Sequence, residues 1–188
     1  MPNYTTLDTK EAVECLRAGR VIAYPTEAVF GLGCDPRNES AVRHILSIKV
    51  RPASMGLVLI GSHFDQFGSW VKPVAEELLD NAMRTWPGPV TWLFPRADGV
   101  PDVVAGQHAT VAIRVTDHQP SRALCEAFDS PIVSTSANPS TAEPARSATE
   151  VDDYFGDQIA GILEGNLGDG EKPSEIRDLL SGKILRQG

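Results

Sequence analysis

Four features of the chain carry side chains that could do chemistry. The first is Tyr24-Pro25-Thr26-Glu27-Ala28-Val29-Phe30-Gly31-Leu32-Gly33-Cys34-Asp35, where an apolar run ends in a proline-fixed turn bearing a hydroxyl, a carboxylate and two glycines. Such a turn either presents polar groups at the mouth of a cleft or only connects one element to the next. The second runs from Arg37 to Arg51 and holds Arg37, Arg43, Lys49 and Arg51 against the single acid Glu39. That is a local positive patch able to attract an anion. Lys49 falls at the end of a helical pattern, where the helix dipole alone favours a cation, and Pro52 turns the chain away just after Arg51. Both cations can therefore face one polyphosphate, Arg as a fork and Lys as a point charge, or can simply complement the helix end.

The third feature, Ser134-Thr135-Ser136-Ala137-Asn138-Pro139-Ser140, follows the apolar run Pro131-Ile132-Val133. Its four hydroxyls and one amide can donate to phosphate or carboxylate oxygens, or can satisfy a turn of their own. The fourth is Arg114, inside the apolar strand pattern Val111-Ala112-Ile113-Arg114-Val115. Burial there demands a partner, either an internal carboxylate or one brought by a ligand.

Other chemistries lack their signatures. There is no Gly-x-x-x-x-Gly-Lys-Ser/Thr loop, and Gly31-Leu32-Gly33 lacks the third glycine of a dinucleotide fingerprint. His44, His63, His108 and His118 are scattered, without triad or metalloprotease spacing. Cys15, Cys34 and Cys125 form no Cys-x-x-Cys pair and suit a reducing cytoplasm better than a disulfide framework.

These residues need a scaffold, and the hydrophobic pattern predicts one. Helical periodicity marks Thr9 to Ala18 (closed by Gly19), Ser40 to Lys49, Val74 to Arg84, Ser121 to Phe128 and Thr149 to Tyr154. Short apolar runs predict strands at Arg20 to Tyr24, Leu57 to Ile60, Val90 to Phe94, Val111 to Val115, Ile132 to Ser134 and Ile159 to Leu163. Val90 to Phe94 and Val111 to Val115 are joined by the turn-rich stretch Pro95 to Ala109, so strands and helices do not alternate strictly. The expected fold is α/β, with a mixed parallel and antiparallel sheet flanked by helices. Pro, Ser, Thr and Ala dominate Ala137 to Ala148, which reads as a long loop.

At 188 residues the chain suits one domain spanning residues 1–188, with 41% hydrophobic and 22% charged residues. Seventeen Lys and Arg against 25 Asp and Glu leave a net charge of -8, which argues against strong autonomous binding to nucleic acid. The N-terminus, Met1 to Thr6, has neither the basic start nor the apolar stretch of a targeting segment. Nothing in the sequence predicts a membrane span.

Taken in order, the segments resemble the YrdC/TsaC family, the threonylcarbamoyl-AMP synthases. The resemblance rests on Tyr24 to Asp35, Lys49-Val50-Arg51-Pro52, Trp86-Pro-Gly-Pro-Val-Thr91, Ala112-Ile-Arg114, Ser134-Thr-Ser-Ala-Asn138, Pro173-Ser-Glu-Ile-Arg-Asp178 and Arg186-Gln-Gly188, and covers essentially the whole chain. It implies a reaction of L-threonine, bicarbonate and ATP giving threonylcarbamoyl-AMP and pyrophosphate for transfer-RNA modification, with Mg2+ on the ATP phosphates and a downstream threonylcarbamoyl transferase complex as partner. By matched position it implies that Lys49 and Arg51 grip the phosphates and stabilise the leaving group, and that Ser136, Asn138 and Arg186 add nucleotide contacts. Tyr24, Thr26, Arg114, Ser134 and Ser174 would form the threonine pocket. No protein metal ligand is implied. Where many relatives carry a lysine this chain has Met55, one fewer cation at the cavity rim. A second role linked to the resemblance is RNA binding in ribosome maturation. A third, carbamoyl-adenylate formation of the hydrogenase-maturation type, usually sits in longer chains with zinc motifs, which are absent here.

Overall fold

Helix α1 (Thr9–Arg17) begins on a reciprocal cap: the Asp8 carboxylate accepts from Glu11 N at 2.8 Å, and Glu11 Oε2 accepts from Asp8 N at 2.8 Å. In the computed structural model, which describes residues 4–170 and 172–188, the chain then runs through β2 (Ile22–Pro25), β3 (Phe30–Gly33), α2 (Glu39–Ile48), β4 (Val58–Gly61), α3 (Glu76–Met83) and β5 (Val90–Pro95). It continues through α4 (Asp102–Ala105), β6 (Thr110–Val115), α5 (Gln119–Phe128), β7 (Ile132–Ser136), α6 (Ala148–Phe155), β8 (Ile162–Leu163), β9 (Glu175–Asp178) and β10 (Ile184–Arg186). A two-residue strand, β1 (Thr6–Leu7), precedes α1. Met1 to Asn3, part of the N-terminus read above for targeting, lie outside the described residues. No helix among the described residues is long and apolar enough to cross a membrane.

Among the described residues ten strands form one sheet in the order β1-β8-β2-β3-β7-β4-β6-β5-β9-β10. Its pairing is mixed as expected: β4 runs parallel to β6 and β5 parallel to β9, while β2–β3, β3–β7, β4–β7 and β5–β6 are antiparallel. Side chains alternate between two buried faces. Ile22, Tyr24, Ile60 and Ile132 pack beneath α1 and α5 with Leu16, Leu124 and Phe128, while Ala23, Leu32, Leu59 and Val133 pack on the other side with Ile45 of α2 and Phe155 of α6. Each fully buried Leu or Ile contributes about 1.5–3 kcal/mol.

Four strands, β1, β3, β9 and β10, lie where the hydrophobic pattern predicts none. Phe30–Gly33 reads as a glycine turn, yet it is a fully buried strand between β2 and β7. Its glycines serve packing, since a Cβ on Gly33 would stand 2.7 Å from the Tyr24 ring and 2.9 Å from Val133 O. Strands β9 and β10 carry half-exposed and exposed residues at one edge of the sheet, so no apolar period marks them. The stretch Pro95 to Ala109 also conceals the short helix α4.

Candidate active site

The cavity floor is a row of side chains brought into register across four strands. Ser134 of β7 pairs with Val58 of β4, Val58 with Ala112 of β6, and Ala112 with Leu93 of β5. All four line a cavity of about 480 Å³. Its walls come from the turn Thr26 to Gly31, the segment Arg51 to Leu57, the end of the 95–109 connection with His108, and the segment Lys172 to Ser174. The floor is mostly apolar, with Ser134 its one hydroxyl, while the rim is charged, the usual construction of a small-molecule site.

Arg51 reaches the cavity because of how α2 ends. Arg51 N donates to Leu46 O at 2.9 Å and Val50 N to Ser47 O at 3.0 Å, a paired C-terminal closure that needs a left-handed residue between them. That residue is Val50, at φ 52, where glycine is usual. Ser140 Oγ donates to Lys49 O at 2.7 Å and to Val50 O at 3.0 Å, fixing the bend. Arg51 Nη2 then donates to Gly56 O at 2.9 Å, and its buried Nε has no acceptor among the described residues. Burial lowers its pKa.

Lys49 turns the other way. Its side chain is 3% exposed and does not line the cavity; Nζ donates to Ser136 O at 2.5 Å and Asn138 O at 2.7 Å. Burial, and then the nearby Arg51 charge, push its pKa down to about 8. Asn138 is equally committed, Nδ2 donating to Pro139 O at 3.0 Å and Ala142 O at 2.6 Å. Lys49 and Asn138 thus brace the turn after β7 from behind, whereas Ser134 and Ser136 of the same strand line the cavity.

Arg114 has an internal partner. Glu27 Oε2 lies 3.2 Å from its Nη2, and Glu27 Oε1 accepts from Thr116 Oγ1 at 2.7 Å. Arg114 Nε, also buried, has no acceptor among the described residues. Thr26 lines the cavity with Oγ1 donating to Val29 O at 2.7 Å. Ser174 also lines the cavity, sharing a hydrogen bond with Thr91 Oγ1 at 3.0 Å and accepting from Arg186 Nη2 at 3.3 Å. Arg186 has its pKa lowered by burial first, then by repulsion from Arg114 and Arg51, so the three guanidiniums lie within electrostatic reach of one another.

Tyr24, expected as a cavity wall, is fully buried beneath the sheet and does not line the cavity. Its hydroxyl donates to Val133 O at 3.3 Å, and burial drives the phenol far above its ordinary pKa, partly offset by a hydrogen bond with Ser134. Register puts Tyr24 in one row with Gly31 and Ser136, on the same face of the sheet as the cavity floor, but its ring lies across Gly31 and Gly33 and is packed with the residues beneath α1 and α5. Met55 lines the rim and is 55% exposed, the position at which a lysine would add charge. Glu27, His108 and Lys172 also line the cavity and were not singled out as ligand contacts. Only Glu27 had a signal available, as the acid nearest in chemistry to the arginine that needed one.

Comparison with known proteins gives the same picture over the length of the chain. The profile of the Sua5/YciO/YrdC family, described as telomere recombination, matches residues 14–188. A threonylcarbamoyl-AMP synthase of Pseudomonas savastanoi pv. phaseolicola is 49% identical over 179 residues, 95% of this chain and 96% of that one. Another, from Coxiella burnetii, is 46% identical over 186 residues, covering 99% and 100%. The crystal structure of P. abyssi Sua5 complexed with L-threonine superposes with a TM-score of 0.90 at 32% identity, over 97% of this chain and 57% of that longer one. With a matched profile, near-half identity across almost every residue and a shared sheet, the chain is a member of the Sua5/YciO/YrdC family.

Proposed function

We propose that this protein is an L-threonylcarbamoyladenylate synthase, a nucleotidyltransferase that joins L-threonine, bicarbonate and ATP and releases pyrophosphate. The observation that carries the reading is the cavity in which Arg51, Arg114 and Arg186 converge beside Thr26, Ser134, Ser136 and Ser174 over an apolar floor. It offers cations for a polyphosphate and a carboxylate, and donors for a small hydroxylated amino acid, within one enclosure. The relatives named as threonylcarbamoyl-AMP synthases support the substrate assignment.

In this reading the threonine amine captures carbon dioxide derived from bicarbonate and loses a proton. An oxygen of the resulting N-carboxylate attacks the α-phosphorus of ATP, and the bond to the β-phosphate oxygen breaks. No enzyme nucleophile enters; catalysis is positioning plus charge stabilisation. Arg51 and Arg186 hold the phosphates and the charge gathering on pyrophosphate. Arg114 receives the amino-acid carboxylate, with Thr26, Ser134 and Ser174 around the side chain and Ser136 toward the nucleotide. Lys49 and Asn138 act by holding the Ser136 turn in place, and Tyr24 by supporting Ser134 from below.

Among the described residues no group of three His, Cys, Asp or Glu could cage a metal ion, and Glu27 is taken up by Arg114 and Thr116. Mg2+ would come with ATP and would supply charge neutralisation at the phosphates beside Arg51 and Arg186. The three free thiols suit the cytoplasm, where the labile adenylate would pass to a threonylcarbamoyl transferase complex. Mixing the protein with ATP, threonine and bicarbonate and measuring pyrophosphate tests the proposal. Threonine-dependent release is expected, and its absence would remove the enzyme reading in favour of RNA binding.

A further inference from the structure

Among the described residues lining the cavity, Glu27 is the one carboxylate, set against Arg51, Arg114, Lys172 and Arg186. It is held from three sides. The Thr116 hydroxyl accepts from His118 N at 3.2 Å and so directs its own proton to Glu27 Oε1 at 2.7 Å. Oε2 stands 3.2 Å from Arg114 Nη2. Gly170 N donates to the Glu27 backbone oxygen at 2.8 Å, and a Cβ on Gly168 or Gly170 would come within 2.9 or 2.8 Å of that oxygen. Only residues without a side chain let the loop after β8 lie so close.

This arrangement divides the cations into two kinds. Arg114 is half of an ion pair, whereas Arg51 donates to the neutral carbonyl of Gly56 and Arg186 to the neutral carbonyl and hydroxyl of Ser174. A multiply charged anion is drawn to the uncompensated guanidiniums. A single carboxylate can still be received by Arg114, whose Nε–H has no acceptor among the described residues, without displacing Glu27.

Resting on the adenylation reading above, we infer that Glu27 is a specificity-determining positioning residue. By neutralising Arg114 it reserves that arginine for the amino-acid carboxylate and confines the nucleotide phosphates to the Arg51 and Arg186 end.

Glu27→Gln keeps an acceptor for Thr116 and removes the charge. In this variant ATP competes with threonine: the apparent KM for threonine rises roughly tenfold as ATP is raised from near its own KM to saturation, with kcat at saturating threonine within about threefold of the parent. Glu27→Asp, which keeps the charge, shows no such dependence. Tripolyphosphate titrated without ATP binds with one more equivalent to the Gln variant than to the parent. Should Glu27→Gln fail to fold, Thr116→Val, which leaves the carboxylate but removes its orienting donor, gives a smaller rise in the same direction. A threonine KM independent of ATP in the folded Gln variant, or in Thr116→Val if the Gln variant does not fold, overturns the inference. A fall in kcat with both KM values unchanged does so as well. A parent without threonine-dependent pyrophosphate release removes the proposed function instead; the tripolyphosphate titration still reads the charge partition, and equal stoichiometry in parent and variant overturns that.

Discussion

Arg186 donates twice to one oxygen, the carbonyl of Ser174, from Nη2 at 2.7 Å and Nε at 3.1 Å. A neutral acceptor fixes the guanidinium while leaving its charge free for an incoming anion. Arg186→Ala should lower kcat/KM for ATP roughly tenfold, about 1.4 kcal/mol of transition-state stabilisation, with kcat/KM ratios from pyrophosphate release as the measure. Arg186→Lys should recover only part of the loss, because an ammonium cannot keep both bonds and still face the cavity as a fork.

Lys49 was expected to touch phosphate and instead braces the carbonyls of Ser136 and Asn138. Lys49→Ala strands two buried acceptors, so it should cost about 3 kcal/mol of stability, seen as a fall of roughly 6–12 °C in Tm. Activity falls with it. A calorimetric Tm equal to the parent's, with activity lost, would return Lys49 to direct phosphate contact.

The same amine sets a pH dependence. Its folded pKa of about 8 lies below the ordinary 10.5, so between these values the unfolded chain holds a proton that the folded one has released. Stability therefore rises with pH across that window, and the burial penalty is fully present below about 8. Denaturant titrations from pH 7.5 to 10.5 should show the parent gaining stability relative to Lys49→Met, which has no proton to lose.

Val50 occupies a left-handed backbone conformation with a β-branched, exposed side chain. Replacing it by glycine removes a steric penalty of about 1–2 kcal/mol and adds back part of it as unfolded-state entropy. Val50→Gly should stabilise by roughly 0.5–1 kcal/mol and raise Tm by a few degrees. A lower Tm would show that the exposed valine packs against something in solution.

Gly33 has the opposite character. An added methyl meets the Tyr24 ring and the Val133 carbonyl, both buried in the sheet, so Gly33→Ala should destabilise by about 2–3 kcal/mol. Gly99, with nothing within 4 Å of a built Cβ, is the control; Gly99→Ala should leave the denaturation midpoint nearly unchanged.

Much of the scaffold was legible where side chains repeat. The helices over Ser40 to Lys49 and Ser121 to Phe128 and the strands at Val90, Val111 and Ile132 announce themselves by apolar period and appear within a few residues of their expected ends. The strand β3 did not, because its glycines exist to receive a tyrosine from the neighbouring strand, a contact no local window contains. The edge strands β9 and β10 are held by pairing rather than burial, so their composition is that of a loop. At the site, Arg51, Arg114, Ser134 and Ser136 stand out by residue type and Arg186 and Ser174 only by the family resemblance, and all six line one cavity. Their orientations were not legible: whether Lys49 faces inward or backward depends on where two carbonyls from residues 136 and 138 arrive. Arg114's need for a partner was visible, and the partner was Glu27, 87 residues earlier.

Strand β7 shares its two edges unequally. Ile132 to Ser134 pair with β4, while Thr135 and Ser136 pair with β3, so past Ser134 the strand has passed beyond its β4 ladder. The peptide groups on that side are released from the sheet, and one, the carbonyl of Ser136, is claimed by Lys49. A strand that changes its allegiance mid-length thereby opens a wedge in the sheet and furnishes it with main-chain donors and acceptors. Recognition built on such groups depends on the path of the chain more than on the identity of its side chains, and the activity should survive changes at Thr135 that would be ruinous at a side-chain ligand.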